Sequence, residues 1–374
     1  MNSLTQLFRT AALCGLTLLS STALQAQILI GQTSGFTGPV ASGVKETTDG
    51  AKLYFDAVNA RGGVNGQQIE LISLDDKFDV QLAKKNAEEL ITKKNVVAMF
   101  MNRGTPHTEA FIPLLNEHKV PLVAPSTGAM VLHKPVQPYI FNVRASYQRE
   151  GERAVQHLDM IGVSRIAVFQ VDDSFGADGA AGIDKGFTAI KKKPVLHEKF
   201  DRTKPDFAPF IPALTKADPQ AVFIVGSAQA VADGTKAIRA AGIKAQIITL
   251  SNNASEGFIK LLDNNARGVI ITQVFPYERS VSALLVKEAI DLAKARGQEG
   301  VSPAMMEGFA GAKVLVEGLR RAGRNPTRAG LVAALNGMRK FDLGGMEVTY
   351  GPDDHTGLDF VDLSIVDMSG KFRR

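Results

Sequence analysis

The sequence predicts an α/β fold of two doubly wound, parallel-sheet lobes. Short apolar runs of strand type alternate with segments of helical period, and the alternation occurs in two successive blocks. The chain has 374 residues, long for one hydrophobic core and suited to two. Crossovers between parallel strands of such lobes are right-handed.

Taken in order, residues 1–26 read as a secretory leader. Arg9 is its charged residue, an apolar run covers 11–19, and small residues offer cleavage after Ala23 or Ala26. The run is short for a bilayer span, so a membrane anchor is the lesser alternative. The expected location is the periplasm, after removal of the leader. Cys14 is the single cysteine and lies in the leader behind Leu13, a poor residue to precede a lipidated cysteine. The mature chain from Gln27 onward would carry no thiol and no disulfide, and its large core makes disulfides unnecessary. No other long uncharged apolar segment follows, which predicts a soluble mature protein.

Ile28, Leu29 and Ile30, bounded by Gly31, predict a buried parallel strand. Ala51, Tyr54, Phe55 and Val58 recur at helical spacing and end at Gly62 and Gly63, which suit a left-handed cap. Asn65-Gly66 predicts a tight turn with two left-handed residues. A strand over 69–74 follows, then a helix marked by Ala83, Ala87, Leu90 and Ile91. The pattern continues with a strand over 96–101, a helix through Phe111 and Leu115, and a strand over 120–124.

The second block has strands over 166–171, 195–200, 221–225, 246–250 and 269–274, with helices between, the first over 180–190. The last third differs: helices over 305–322 and 331–338, then strands over 346–350 and 360–367. No low-complexity linker or short repeat interrupts the chain.

The formal charge is +5, with lysine clusters at Lys93-Lys94 and Lys191-Lys192-Lys193. These clusters lack interleaved aromatics, so they predict a solvated surface and no nucleic-acid partner. The six histidines are scattered and none has the spacing of a helical zinc site. Neither a P-loop nor a nucleophile elbow is present. Gly31, Gly35 and Gly38 miss the dinucleotide spacing. Asp75-Asp76, at a strand end, suits a helix cap or loop better than catalysis. No metal, cofactor or enzymatic activity is predicted.

Several segments carry a resemblance that spans nearly the whole mature chain. They are Gly35-Phe36-Thr37-Gly38-Pro39-Val40-Ala41, Gly50-Ala51, the run from Asn59 through Gly66, and Asp75-Asp76. Val123-Ala124-Pro125-Ser126-Thr127 and Asp172-Asp173-Ser174-Phe175-Gly176 extend them. In their order and spacing the chain resembles the periplasmic substrate-binding proteins of ABC importers, type I fold, in the branch similar to leucine/isoleucine/valine-binding proteins. The resemblance implies two lobes joined by three crossovers, with ligand in the cleft. It implies a first lobe of 27–146 and 277–349, and a second of 147–276 and 350–374.

Ligands of open α/β sheets sit beyond the carboxyl ends of the strands. Here those ends are the loops 33–43, 102–107, 125–130, 172–176, 226–230 and 251–254. By resemblance, Arg103, Gly104 and Thr105 face a ligand carboxylate, with N–H and hydroxyl donors at a helix start. Arg103 offers a bidentate partner or, alternatively, a surface salt bridge. Ser126, Thr127 and Gly128 form the next loop, whose hydroxyls suit a ligand oxygen or a helix cap. Phe175 corresponds to an aromatic that covers the ligand, or to a core phenylalanine. Ser227, Gln229, Ser251 and Asn252 complete the predicted ligand-binding set.

One departure bears on the ligand. Amino-acid binders place an acid in the second lobe, but Ser251-Asn252-Asn253 holds none. Gly43 stands where a large residue can occur. An unpaired buried ammonium is costly, so the sequence leans toward an aromatic or other organic acid, with an amino acid as the alternative if Asp172, Asp173 or Glu307 supplies the charge. The expected partners are a small carboxylate ligand and an importer's membrane permease, with the protein a monomer. A sensor subunit for a membrane receptor and, further off, a hydrolase on a similar scaffold are the rival readings.

Overall fold

The computed structural model describes residues 27–374. The leader reading and Cys14 lie outside those residues. The elements in order are β1 (Ile28–Ser34), α1 (Ala41–Ala60), β2 (Ile69–Asp75), α2 (Val80–Glu88), β3 (Ala98–Phe100), α3 (Thr105–His118), β4 (Leu122–Val123), β5 (Ile140–Phe141) and α4 (Tyr147–Met160). Next come β6 (Ile166–Val171), α5 (Ser174–Ala189), β7 (Leu196–Phe200), α6 (Ile211–Ala217), β8 (Ala221–Val225), α7 (Ala228–Ala240), β9 (Gln246–Thr249), α8 (Glu256–Leu262) and β10 (Ile270–Gln273). The chain closes with α9 (Leu284–Ala295), α10 (Pro303–Ala322), α11 (Arg328–Asn336), β11 (Phe341–Asp342), β12 (Glu347–Val348), β13 (Asp362–Val366) and β14 (Phe372–Arg373).

Two sheets organise the two lobes. The first has the order β2-β1-β3-β4-β5, all parallel, with Ile28 opposite Ile69 and Ser34 opposite Asp75 at its edge pair. The second has the order β14-β13-β10-β9-β8-β6-β7. Its five strands from β6 to β10 are parallel, and β13 and β14 add an antiparallel edge. That edge is a finding beyond the predicted parallel sheets. It uses the late strand foreseen over 360–367, which the chain brings back to the second sheet. β11 and β12 pair only with each other, as a small ribbon.

Apolar faces explain the layering. Ile28, Ile30, Phe100 and Phe141 pack one face of the first sheet against α1 and α10. Leu90, Met99, Phe111 and Leu122 pack its other face under the helices α2 and α3. Val168, Phe169, Ile224 and Ile248 of the second sheet meet Leu158, Phe187 and Phe258 from its helices. Strands buried on both faces read as continuous apolar runs, which is why they were legible.

α1 and α10 meet backbone to backbone. A Cβ on Gly50 would lie 2.0 Å from the Met305 carbonyl oxygen, and one on Gly308 1.8 Å from that of Thr47. Beside this contact Tyr54 and Phe309 meet edge to face at 5.2 Å. Asn65 and Gly66 both have positive φ, as the turn reading required.

Five elements have no counterpart in the sequence reading: β5, α4, α9, β11 and β14. The buried face of α4 includes Tyr147, Glu150, Gly151, Ala154, Val155 and Leu158. Glu150 and Gly151 interrupt the apolar stripe, which hides the helical period.

Candidate functional site

Loops at the carboxyl ends of both sheets meet in a cleft between the lobes. Val40, Phe78, Arg103, Gly104, Thr105 and Tyr147 line a small cavity there, together with Phe175, Arg202, Ser227 and Asn252. Helix starts converge on it. Val40 precedes α1 and Gly104 precedes α3, neither with a side-chain cap. Ser227 caps α7 by accepting from the Ala230 N–H, and Asp173 caps α5 by accepting from Phe175 and Gly176. Helix N-termini present N–H groups and partial positive charge.

Arg103 is the centre of this site. Its backbone pairs with Ser126 as an extension of the β3–β4 edge. Its side chain is only 6% exposed, so it is no surface salt bridge. The guanidinium donates to Ser126 Oγ at 3.2 Å and, across the cleft, to the Asn252 carbonyl oxygen. It has no carboxylate within ion-pair distance among the described residues. A buried cation without a counter-ion is costly. Thr105 and Thr127 share a hydroxyl–hydroxyl bond of 2.8 Å beside it. Gly104 has φ of 101° and its missing Cβ would sit 2.5 Å from His107 Nδ1, so this position needs glycine twice over.

The predicted residues thus divide by position. Arg103, Gly104, Thr105, Phe175, Ser227 and Asn252 line the cavity. Ser126 and Thr127 stand one bond behind it, on Arg103 and Thr105. Gly128 lies beneath, its carbonyl accepting from the Tyr147 N–H at 2.8 Å. Gln229 turns its amide to Asp233 at 2.8 Å, and Ser251 Oγ accepts from Arg144 at 2.8 Å. Phe175 is buried and meets Tyr147 edge to face at 4.9 Å.

Val40, Phe78, Tyr147 and Arg202 were not foreseen. Val40 and Phe78 lie inside or just after quoted motifs. Tyr147 starts the hidden helix α4. Arg202 follows β7 with no sequence signal. It pairs with Asp173 and lies over the Phe78 ring at 5.0 Å.

The candidate acids are engaged elsewhere. Asp172 is exposed and bonded to Lys199 at 3.0 Å, and Asp173 holds Arg202 and the α5 start. Glu307 sits 3.9 Å from Arg144. Arg144 is fully buried and donates to Glu150 and Ser251, while Glu150 accepts from the Ser251 N–H at 2.9 Å and from Thr272. Burial opposes the Arg144 charge, but Glu150, Tyr147 and Glu307 together outweigh it and hold the guanidinium above its ordinary range. This network ties the end of the first sheet to the second.

The Asp75–Asp79 loop is strained. Lys77 and Phe78 have φ of 54° and 60°, left-handed values that cost about 1–2 kcal/mol for a side-chain-bearing residue. Asp75 accepts from the Lys77 N–H and Asp76 from the Phe78 N–H, each at 2.9 Å. Burial pushes the Asp76 carboxyl up to about 6, against the pull of the Phe78 N–H and the Thr33 hydroxyl. Burial pushes the His107 imidazole down to about 4.

This architecture, two α/β lobes closing over a cleft lined by helix starts, defines a solute-binding protein of the periplasmic type. The family model for a periplasmic binding protein matches residues 27–367, and the chain belongs to that family. The family is one of binding proteins that work with ABC importers, not of enzymes. A substrate-binding periplasmic protein from Ralstonia solanacearum is 30% identical, with a TM-score of 0.84, covering 92% of this chain and 99% of that one. A possible leucine/isoleucine/valine-binding protein from Rhodopirellula baltica SH 1 is 25% identical with a TM-score of 0.87, covering 95% and 98%. The Leu/Ile/Val-binding protein of Escherichia coli (strain K12) is 21% identical over 307 residues, 81% of this chain and 82% of that protein.

Proposed function

We propose that the protein captures a small carboxylate between its lobes and hands it to the membrane permease of an ABC importer. The buried Arg103, without an acidic partner, is the observation that supports this most. A carboxylate from the ligand completes its pairing, with N–H groups of Gly104 and the α3 start and the hydroxyls of Ser126 and Thr105 at hand. The cavity lining adds Phe78, Tyr147 and Phe175 and contains no carboxylate. An α-ammonium group would therefore find hydroxyl and amide oxygens of Thr105, Ser227 and Asn252 but no carboxylate to pair with its charge. The ligand class this favours is an aromatic or other organic acid.

The lobes are proposed as 27–146 with 277–349, and 147–276 with 350–374, the protein acting as a monomer in the periplasm. Binding stabilises the closed arrangement because the ligand touches both lobes only when they meet. The chain has no tryptophan, so thermal shift is the natural assay. A panel of organic acids and amino acids is expected to yield at least one acid that raises the melting midpoint, with leucine, isoleucine and valine weaker. A strong shift with the branched-chain amino acids alone would move the ligand class to that of the named relatives. No shift with any carboxylate would overturn the reading.

A further inference from the structure

Phe78 occupies an unusual position for a loop residue. It is held in left-handed backbone by the Asp76 carboxylate, directly after a strand of the first sheet. The surrounding positions are cleared for it. A Cβ on Gly35 would lie 3.2 Å from Phe78 Cβ, one on Gly104 3.1 Å from its Cε2, and one on Gly38 3.2 Å from the Lys77 carbonyl oxygen. The ring stacks on His107 at 4.3 Å with 18° between planes. From the other lobe Arg202 covers it. The ring is half-buried and lines the cavity together with Phe175 and Tyr147. A strained backbone kept at a cleft points to a working role.

We infer that Phe78 is a specificity-determining residue: the edge of its ring forms the first-lobe wall of a slot, lined also by Phe175 and Tyr147, that selects acids bearing a flat ring. The inference rests on the carboxylate reading above and adds the selection. Arg103 fixes the carboxylate, and the ring of the ligand stands between aromatic walls. His107 stacks on the Phe78 ring and Arg202, itself a lining residue, lies over it, so the ring meets the ligand by its edge. Aromatic pairs of this kind discriminate by roughly ten-fold against an open chain of equal size.

The test measures dissociation constants of the full mature protein for ring acids (benzoate, 4-hydroxybenzoate, phenylacetate, trans-cinnamate) and open-chain acids (hexanoate, 4-methylpentanoate). The wild type should prefer at least one ring acid. Phe78→Leu and Phe78→Ala should lower the ring-to-chain preference about ten-fold, with open-chain affinity changed about two-fold at most, and Phe78→Tyr should restore the preference. If Phe78→Ala fails to fold, Phe78→Leu carries the comparison. A ring acid bound equally by wild type and both small variants overturns the role of Phe78 and leaves the carboxylate reading standing. A wild type that prefers open-chain acids also overturns it. A wild type that binds none of these acids, nor any other carboxylate, removes both.

Discussion

Single side chains set what the cleft tolerates and how the fold answers to pH. His133 is 2% exposed and neither ring nitrogen has a hydrogen-bond partner. Burial, with the nearby Arg144 charge, lowers its proton affinity to a value of about 4. Below the unfolded value near 6.5 the open chain takes a proton that the folded chain refuses. Its contribution is therefore complete above that value and is lost as pH falls toward 4. The size is on the order of 3 kcal/mol. Asp76 works in the opposite sense in an overlapping window: its raised value favours the folded state at low pH and loses that contribution as pH rises through about 6. The expected outcome is that His133→Met loses less stability than wild type between pH 7 and 4.5 in urea unfolding. Equal losses in both would contradict it.

Legibility at this scale was uneven, for physical reasons. Arg103, Thr105 and Asn252 were visible because they follow strand ends, where ligands of parallel sheets collect. Phe78 was not, since its placement depends on left-handed backbone that no sequence pattern announces. Arg202 was not, because it reaches the site only once the lobes are apposed.

Elements were legible where burial is two-sided and obscure where a polar group is buried. β6 and β8 appeared at their true positions as unbroken apolar runs. α4 was missed because Glu150, buried to satisfy Arg144, stands in its inner stripe. β3 and β4 are only three and two residues long, so their predicted spans were too generous. α1 begins at Ala41, ahead of its legible apolar face, because the turn at Gly38-Pro39 sets its start.

The closest element contact, α1 against α10, yields a sharp expectation. Gly308→Val would place a side chain inside the Thr47 carbonyl contact and should cost about 3 kcal/mol or more. Gly300→Ala, where an added Cβ meets nothing within 4 Å, should change stability by about 0.5 kcal/mol at most. Chemical denaturation of both variants checks this. A tolerated Gly308→Val would mean that the helices sit farther apart than described.

For the whole molecule, two-lobe organisation followed from chain length and the doubled strand–helix alternation. The resemblance placed 350–374 in the second lobe; that β13 joins its sheet antiparallel was not foreseen, since local pattern does not encode strand direction. In the structure the lobes meet through Arg103 and Asn252, through Glu46 and the N–H of Gly257 at 2.8 Å, and through Glu109 and Ser174. Each of these contacts links a first-lobe helix or loop to a second-lobe helix start or loop, and one of them, Arg103 with Asn252, also lines the cavity. Under the proposed function, a ligand carboxylate would add a full charge beside Arg103 while the rest of the ligand touches the second lobe, which would favour the closed arrangement.

The most direct test pairs an acid with its uncharged amide. Dissociation constants for the tightest-binding acid and the corresponding carboxamide would be measured in wild type and Arg103→Met. Charge pairing at Arg103 predicts that wild type prefers the acid by about 100-fold and that Arg103→Met abolishes the preference. Equal affinity of wild type for acid and amide, or a preference that survives in Arg103→Met, would contradict it.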